Sequence, residues 1–495
     1  MSPTPLGWRS LRQTSRRSER PGRLLGLTLT VVLLSFACTG GLVVAPGGTP
    51  PATRGEFAEL PGSFVLIGQE PLFERGMNAG LAVWRDFAYV GNRTDGSSGH
   101  PHPGILVVTV EDPGAPEVVG EIRRLHVADP GATSRELRIW PGGELLIALT
   151  FGCDAVLHGC APDLVRPSFS FYDIGGDRAA RPRFVSEYQP QGQPHKFYLW
   201  QDPRDRGRAL LFVSTPTPIG ENLLVVDISG ARSGRVRELA TWSAEFPDPG
   251  PDDALHSLSV SIDGRRAYLA HLTAGFLILD TSELARGAEE PQIRTITPLD
   301  QPARWPGVGP HSAVKVPGRD LVLTTDEVYG RSAGGGCPWG WGRLISIAEE
   351  TSPEVISEFG VSPYNDLSYC EGVSSERDAA ASFSSHNPTV TEHLALISWH
   401  GAGLQAFSTE DPAAPERVAE FLPDPLLTVA TEDPPLSSGP DKVVMWSYPI
   451  ILNGLIYVVD VRNGLYVLEY EGPFDEELAE VSFLEGNSNL GDASP

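Results

Sequence analysis

Apolar residues either alternate with polar ones over five to eight positions or fill four to six in a row, and Gly, Pro, Asn and Asp separate the runs. Runs of that length and period read as short strands. They come in pairs around a tight turn, and the pair repeats. GLAVWRDFAYVGN at 80–92 returns as SLSVSIDGRRAYLAH at 257–271, SAVKVPGRDLVLTT at 312–325, PTVTEHLALISW at 388–399 and PIILNGLIYVVD at 449–460. Looser copies, ELRIWPGGELLIALT at 136–150 and FYLWQDPRDRGRALLFVS at 197–214, bring the number to seven. A third strand follows every copy, as in GILVVTVEDP, NLLVVDISGA and GLYVLEYEGP, and six copies add a fourth, as in PEVVGEI at 116–122. The seventh has none, but an orphan strand, GSFVLIGQEP at 62–71, precedes the first copy. Pairing that strand with the last copy leaves no open sheet edge. The pattern therefore predicts an all-β fold: a seven-bladed β-propeller of four-stranded blades, closed by N-terminal strand pairing with the last blade. Equivalent second-strand residues, from Tyr89 to Tyr457, are 54 to 74 residues apart, so several loops must carry insertions.

Composition agrees and narrows the partners. The 53 Gly and 45 Pro make up a fifth of the 495 residues without a collagen period, which disfavours long helices. The net charge of −25 would be repelled by phosphate backbones, so no nucleic-acid partner is expected. Only three lysines accompany the arginines, which reads as coding bias.

The N-terminus is not part of the repeat. Six arginines between Arg9 and Arg23 precede an apolar run from Leu24 to Ala37, the layout of a secretory signal. Arg16-Arg17 hints at a twin-arginine leader but lacks the apolar residues that normally follow the pair, and Leu24–Ala45 is long enough for a retained anchor although Gly40-Gly41 interrupts it. Ser35 and Ala37 suit ordinary signal cleavage, whereas Cys38 after Ala37 suits lipidation. The latter leaves Cys153, Cys160, Cys337 and Cys370, an even number for disulfides in an oxidising compartment. Cys153 and Cys160 share one loop of the second blade. Cys337 and Cys370 fall on the same face of adjoining blades, so Cys153–Cys160 and Cys337–Cys370 is the pairing that bridges no distant blades. The expected organisation is a signal peptide over 1–37, a flexible tether over 38–60, the propeller over 61–473 and an acidic tail over 474–495. An exported protein follows: a lipoprotein of the outer membrane or cell surface, or a secreted or periplasmic one. Membrane contact is expected only through an N-terminal lipid or anchor, and the oligomeric state as monomeric.

GILVVTVEDPGAPEVVGE, LLVVDIS and the preceding FAYVGN resemble LVIVD repeats, a family of secreted bacterial proteins named for the third-strand motif. The resemblance covers about residues 62–473, closest in the first, fourth, sixth and seventh blades. It implies a propeller and an extracytoplasmic location, and it leaves the activity open because propellers host many chemistries.

Candidate chemistry gathers on one face. In a propeller the first strand of each blade lines the channel, and the loops leading into it open on the face termed the top here. His195, His256, His311 and His386 hold that leading position in four consecutive blades, where the other three have Ala79, Arg135 and Ser447. Imidazoles converging on a channel mouth could ligate a transition metal, copper or zinc; as a repeat feature they could equally be structural, each tying one blade to the next. His271, His400, Asp326 and Glu327 lie at the ends of second strands on the same face. A fifth-blade insertion, EVYGRSAGGGCPWGWG at 327–342, offers Trp339 and Trp341 as stacking surfaces for a sugar or other flat ligand, or as a cover for the blade top. Arg135 completes the ligand-binding candidates.

Two functions fit. One is a cell-surface module binding a protein, small-molecule or carbohydrate ligand through its top face without catalysis. The other is a metal-dependent extracytoplasmic enzyme, by analogy with the copper-dependent methanethiol oxidase and selenium-binding group, which are also propellers with channel histidines. That group's cysteine motif is absent here. No G-x-S-x-G, HExxH or CxxC motif is present, so no catalytic residue is assigned.

Overall fold

The computed structural model describes residues 59–491, apart from 94–99, 124–131, 153–165, 216–220, 246–253, 273, 308, 330–336, 338, 363–381, 434–435, 437 and 441. Cys38, Cys153, Cys160 and Cys370 lie outside the described residues, so leader, tether and disulfide pairing do too.

Seven antiparallel sheets form the ring, a β-propeller. Six sheets hold four strands in chain order, as in the first blade: Asn78–Trp84, Phe87–Asn92, Ile105–Thr109 and Glu117–Ile122. In the seventh, the orphan strand Ser63–Glu70 pairs with Gly464–Glu471 and supplies the missing outer strand, as the sequence pattern predicts. One repeated residue shows the equivalence. Five blades start their third strand at or just after a glycine, and in the first, sixth and seventh a Cβ there would press on the backbone of the neighbouring outer strand. In the first blade it would sit 2.4 Å from the Ile122 carbonyl oxygen and in the sixth 2.1 Å from that of Phe421. In the seventh the corresponding Gly464 would meet the Glu70 carbonyl oxygen at 2.2 Å, and Glu70 belongs to the N-terminal strand.

Seven apolar clusters lie between consecutive blades, one for each of the seven junctions. The two-residue period explains this. In the third blade's inner strand, Lys196–Gln201, Phe197 and Leu199 pack toward the second blade while Tyr198 and Trp200 pack toward the fourth. Both faces of every sheet are therefore buried, which is why many strands read as continuous apolar runs rather than a clean alternation.

The C-terminal residues correct the expectation of an acidic tail from 474 onward. Asp475–Ala479 forms a short helix, and Glu477 accepts hydrogen bonds from Thr391 and from the His393 backbone and ring. Phe483–Glu485 then pairs with the inner strand Ile450–Leu452, giving the seventh sheet a fifth strand inside the ring. Beyond it the chain crosses the lower mouth of the channel. The Asn487 carbonyl accepts from the Leu199 backbone at 3.2 Å and from Arg138 Nε at 3.3 Å. Asn489 binds Gln201 from both ends of its side-chain amide, at 2.7 and 2.8 Å. Residues 487–489 thus lie across the lower ends of the inner strands of the second and third blades.

Candidate functional site

The four predicted histidines do meet at the top of the channel. Ring centroids stand 4.6 Å apart for His195 and His256, 4.0 Å for His256 and His311, and 4.5 Å for His311 and His386. His400 extends the arc at 5.0 Å from His386. It lies just beyond the second strand Leu394–Ser398 and has a φ of +29°, the left-handed turn that accompanies its place in the cluster.

Glu327 stands at the focus. Its Oε2 is 3.2 Å from His311 Nε2, and its Oε1 is 3.4 Å from His386 Nε2 and 3.3 Å from His400 Nε2. The neighbouring backbone is clamped on both sides, since Asp326 N donates to the Trp341 carbonyl and Val328 N donates to Ser384 Oγ, each at 2.9 Å.

The far nitrogen of every ring facing this carboxylate is already engaged. His256 Nδ1–H donates to the His311 carbonyl at 3.0 Å, and His386 Nδ1–H to the Trp446 carbonyl at 2.7 Å. His400 Nδ1 is 2.9 Å from Ser382 Oγ, whose own proton goes to the Val328 carbonyl, so the ring must be the donor. His311 Nδ1 meets Ser312 Oγ at 3.0 Å. Neutral rings that donate through Nδ1 present an unprotonated Nε2. Burial, reinforced by Lys196 and neighbouring imidazoles, keeps His256, His311 and His386 well below the usual imidazole pKa and therefore neutral. Burial does the same to His195, with Arg135, Lys196 and Arg93 adding to it.

The result is an unusual polar contact. Glu327 Oε1, His386 Nε2 and His400 Nε2 are buried and close together, yet no hydrogen bond joins them to any partner among the described residues. Two ligands each about 2.0–2.1 Å from a tetrahedral ion stand about 3.3–3.4 Å apart, which is the spacing seen here. Two three-residue groups meet the distance requirement for one ion: His256, His311 and Glu327, and Glu327, His386 and His400.

The remaining predicted residues divide. Arg135 lines the same cavity. His271 is fully buried and in neither group. Asp326 points away, accepting from Trp305 Nε1 at 3.0 Å and pairing with Arg343, while burial raises its pKa. Trp339 is 3% exposed and packs edge-on against Phe383, so it covers the blade and offers no face to a ligand. Trp341 is half-buried.

Several residues at the site carry little trace in the sequence. Trp446 lies tilted 4.1 Å from His386 and stacks on His400 at 5.5 Å, and the Arg93 guanidinium lies 4.6 Å over the Trp446 ring while pairing with Asp433 at 2.6 Å. Tyr329 closes the cavity wall with Trp446. Below the imidazoles, Lys196 Nζ donates to Asn387 Oδ1 at 2.8 Å, its pKa pushed down to about 8 by burial. Glu136 pairs with Arg138. Lys196 had a signal, being one of three lysines and adjacent to His195. Glu136 lies on the second blade's inner strand Ala132–Trp140, whereas Trp446 and Tyr329 come from loops whose paths the repeat does not set.

No protein family matches the chain by sequence, and no curated protein does. Solved structures resemble it in fold. The periplasmic gluconolactonase PpgL of Pseudomonas aeruginosa shares 14% identity at a TM-score of 0.48, over 78% of this chain and 95% of that one. Sqt1 from Chaetomium thermophilum shares 13% at 0.45, over 82% and 86%. A Lactobacillus plantarum protein shares 11% at 0.42, over 70% and 88%. The propeller assignment itself rests on the seven sheets described above.

Proposed function

We propose that this chain is an exported, metal-dependent propeller enzyme whose centre is Glu327 with His256, His311, His386 and His400. One observation carries the reading: buried Nε2 atoms converge on a carboxylate without hydrogen bonds, while each Nδ1 is held from behind. Metal-bound histidines are oriented in this way by the partner of the second nitrogen. A structural role tying blade to blade accounts for the Nδ1 bonds but leaves Glu327 Oε1 and two Nε2 atoms without partners at a cost of about 1–3 kcal/mol each. The donors are imidazole and carboxylate, a set suited to zinc or copper(II). Either group leaves a tetrahedral ion one ligand short, the open position that separates catalytic from structural sites. Arg135 and Lys196 line the same cavity, which suits an anionic or polar substrate.

Metal analysis of protein exported to the periplasm tests this. Zinc or copper should co-purify or bind after reconstitution, and His386→Ala combined with Glu327→Ala should abolish it. A wild-type protein that takes up neither ion would return the histidines to a structural role and leave top-face binding of a protein or carbohydrate as the better reading. Export itself is tested by fractionation and by the mass of the mature N-terminus, which separates lipidated Cys38 from simple cleavage after Ala37.

A further inference from the structure

We infer that the centre holds two metal ions bridged by Glu327, one on each carboxylate oxygen. The inference rests on the metal-centre reading above and adds number and arrangement to it.

The four imidazoles do not form one ligand group. His256 and His311 satisfy the distance requirement with Glu327, and His386 and His400 satisfy it with Glu327, and the two groups have only that carboxylate in common. The carboxylate is turned to match. Its Oε2 faces His311 at 3.2 Å, whereas its Oε1 faces His386 and His400 at 3.4 and 3.3 Å. Because the Nδ1 atoms of all four rings are engaged, each ring has one nitrogen to give, and no ring serves both groups. Each ion would then have two imidazoles and one carboxylate oxygen. A carboxylate using both oxygens in this way sets two ions about 3.5–4 Å apart, the spacing of two-metal hydrolytic sites.

The surroundings suit a doubly charged pair with an anion between. Among the described residues, Glu327 is the sole carboxylate in either group, so the remaining positive charge calls for hydroxide or a substrate oxyanion at the open positions. Lys196 and Arg135 line the same cavity and would hold such an anion from the side. A small ester is the class of substrate this arrangement would serve: metal-bound hydroxide would form a C–O bond to the carbonyl carbon, the ester C–O bond would break, and the alcohol would leave with the hydroxide's proton.

The test is stoichiometry and coupling on the full-length protein. Chelator-stripped protein is loaded with Zn²⁺, desalted and measured for metal, then loaded separately with Cu²⁺ for electron paramagnetic resonance. The expected results are two zinc ions per chain and a half-field copper signal from a coupled pair. His311→Ala and His400→Ala should each retain one zinc ion, and Glu327→Gln should lose the coupling. One zinc ion per chain, or two copper ions with an isolated-ion spectrum, overturns the bridge while leaving a metal centre. No bound zinc or copper overturns both. The wild-type copper spectrum needs no variant, so a misfolded substitution does not blur the answer.

Discussion

Ser382 illustrates how much of the site is decided by atoms that never touch its centre. Its hydroxyl accepts from His400 Nδ1 and donates to the Val328 carbonyl, so one oxygen fixes the His400 tautomer and the backbone beside Glu327. Replacing it, Ser382→Ala, should weaken zinc binding by about 10- to 100-fold, the usual effect of removing a ligand's orienting partner. Calorimetric titration of the variant against wild type checks this, with unchanged affinity as the contrary result. The histidine positions were legible because the repeat fixes where each inner strand starts. Glu327 was legible only as one of several acids at strand ends. The Nδ1 partners were not legible, since two are carbonyls of another blade and carbonyls carry no sequence signature.

At the scale of elements, blade closure depends on two strands with different visibility. The N-terminal strand was readable because it has the period of a fourth strand and the last repeat lacks one. Deleting residues 55–72 should expose the outer edge of the seventh blade and cause aggregation, seen by light scattering. A truncated protein that stays monodisperse with unchanged melting would refute closure by Ser63–Glu70. The inner strand Phe483–Glu485 was hidden by the acidic residues around it, which read as solvated. Their charges are instead placed: Glu477 on His393, and Glu485 buried beneath the channel. Removing residues 481–495 should lower the melting temperature, because Arg138 loses its Asn487 acceptor and the buried ends of the inner strands meet water. The turn glycine makes a sharper test. Gly403 has a φ of +80° and no room for a Cβ against Phe421, so Gly403→Ala should cost more than about 1 kcal/mol in denaturant unfolding.

For the whole molecule, the buried imidazoles make stability depend on pH. His195, His256, His311 and His386 have folded pKa values below 6.5, so between those values and 6.5 the unfolded chain binds protons that the fold refuses. Stability contributed by the neutral rings is present above pH 6.5 and falls as the pH drops below it. Each ring contributes a slope approaching about 1.4 kcal/mol per pH unit. Lys196 extends the trend on the alkaline side, where its folded pKa of about 8 lets stability rise from pH 8 toward 10.5. Asp460, raised to about 6 by burial, opposes it below that pH. The metal-free protein should therefore melt at a lower temperature at pH 5.5 than at 7.5, and His256→Asn should reduce the difference. Equal melting temperatures across that span would contradict neutral, buried rings.

The same ring also has an order in time. Ser63 pairs with Glu471, a partner made 408 residues later, and at roughly 5–20 residues per second the first strand waits about 20–80 s for it. Phe483–Glu485 comes later still, so the innermost strand of the seventh blade pairs with Ile450–Leu452 only after the strands that close the ring have been made.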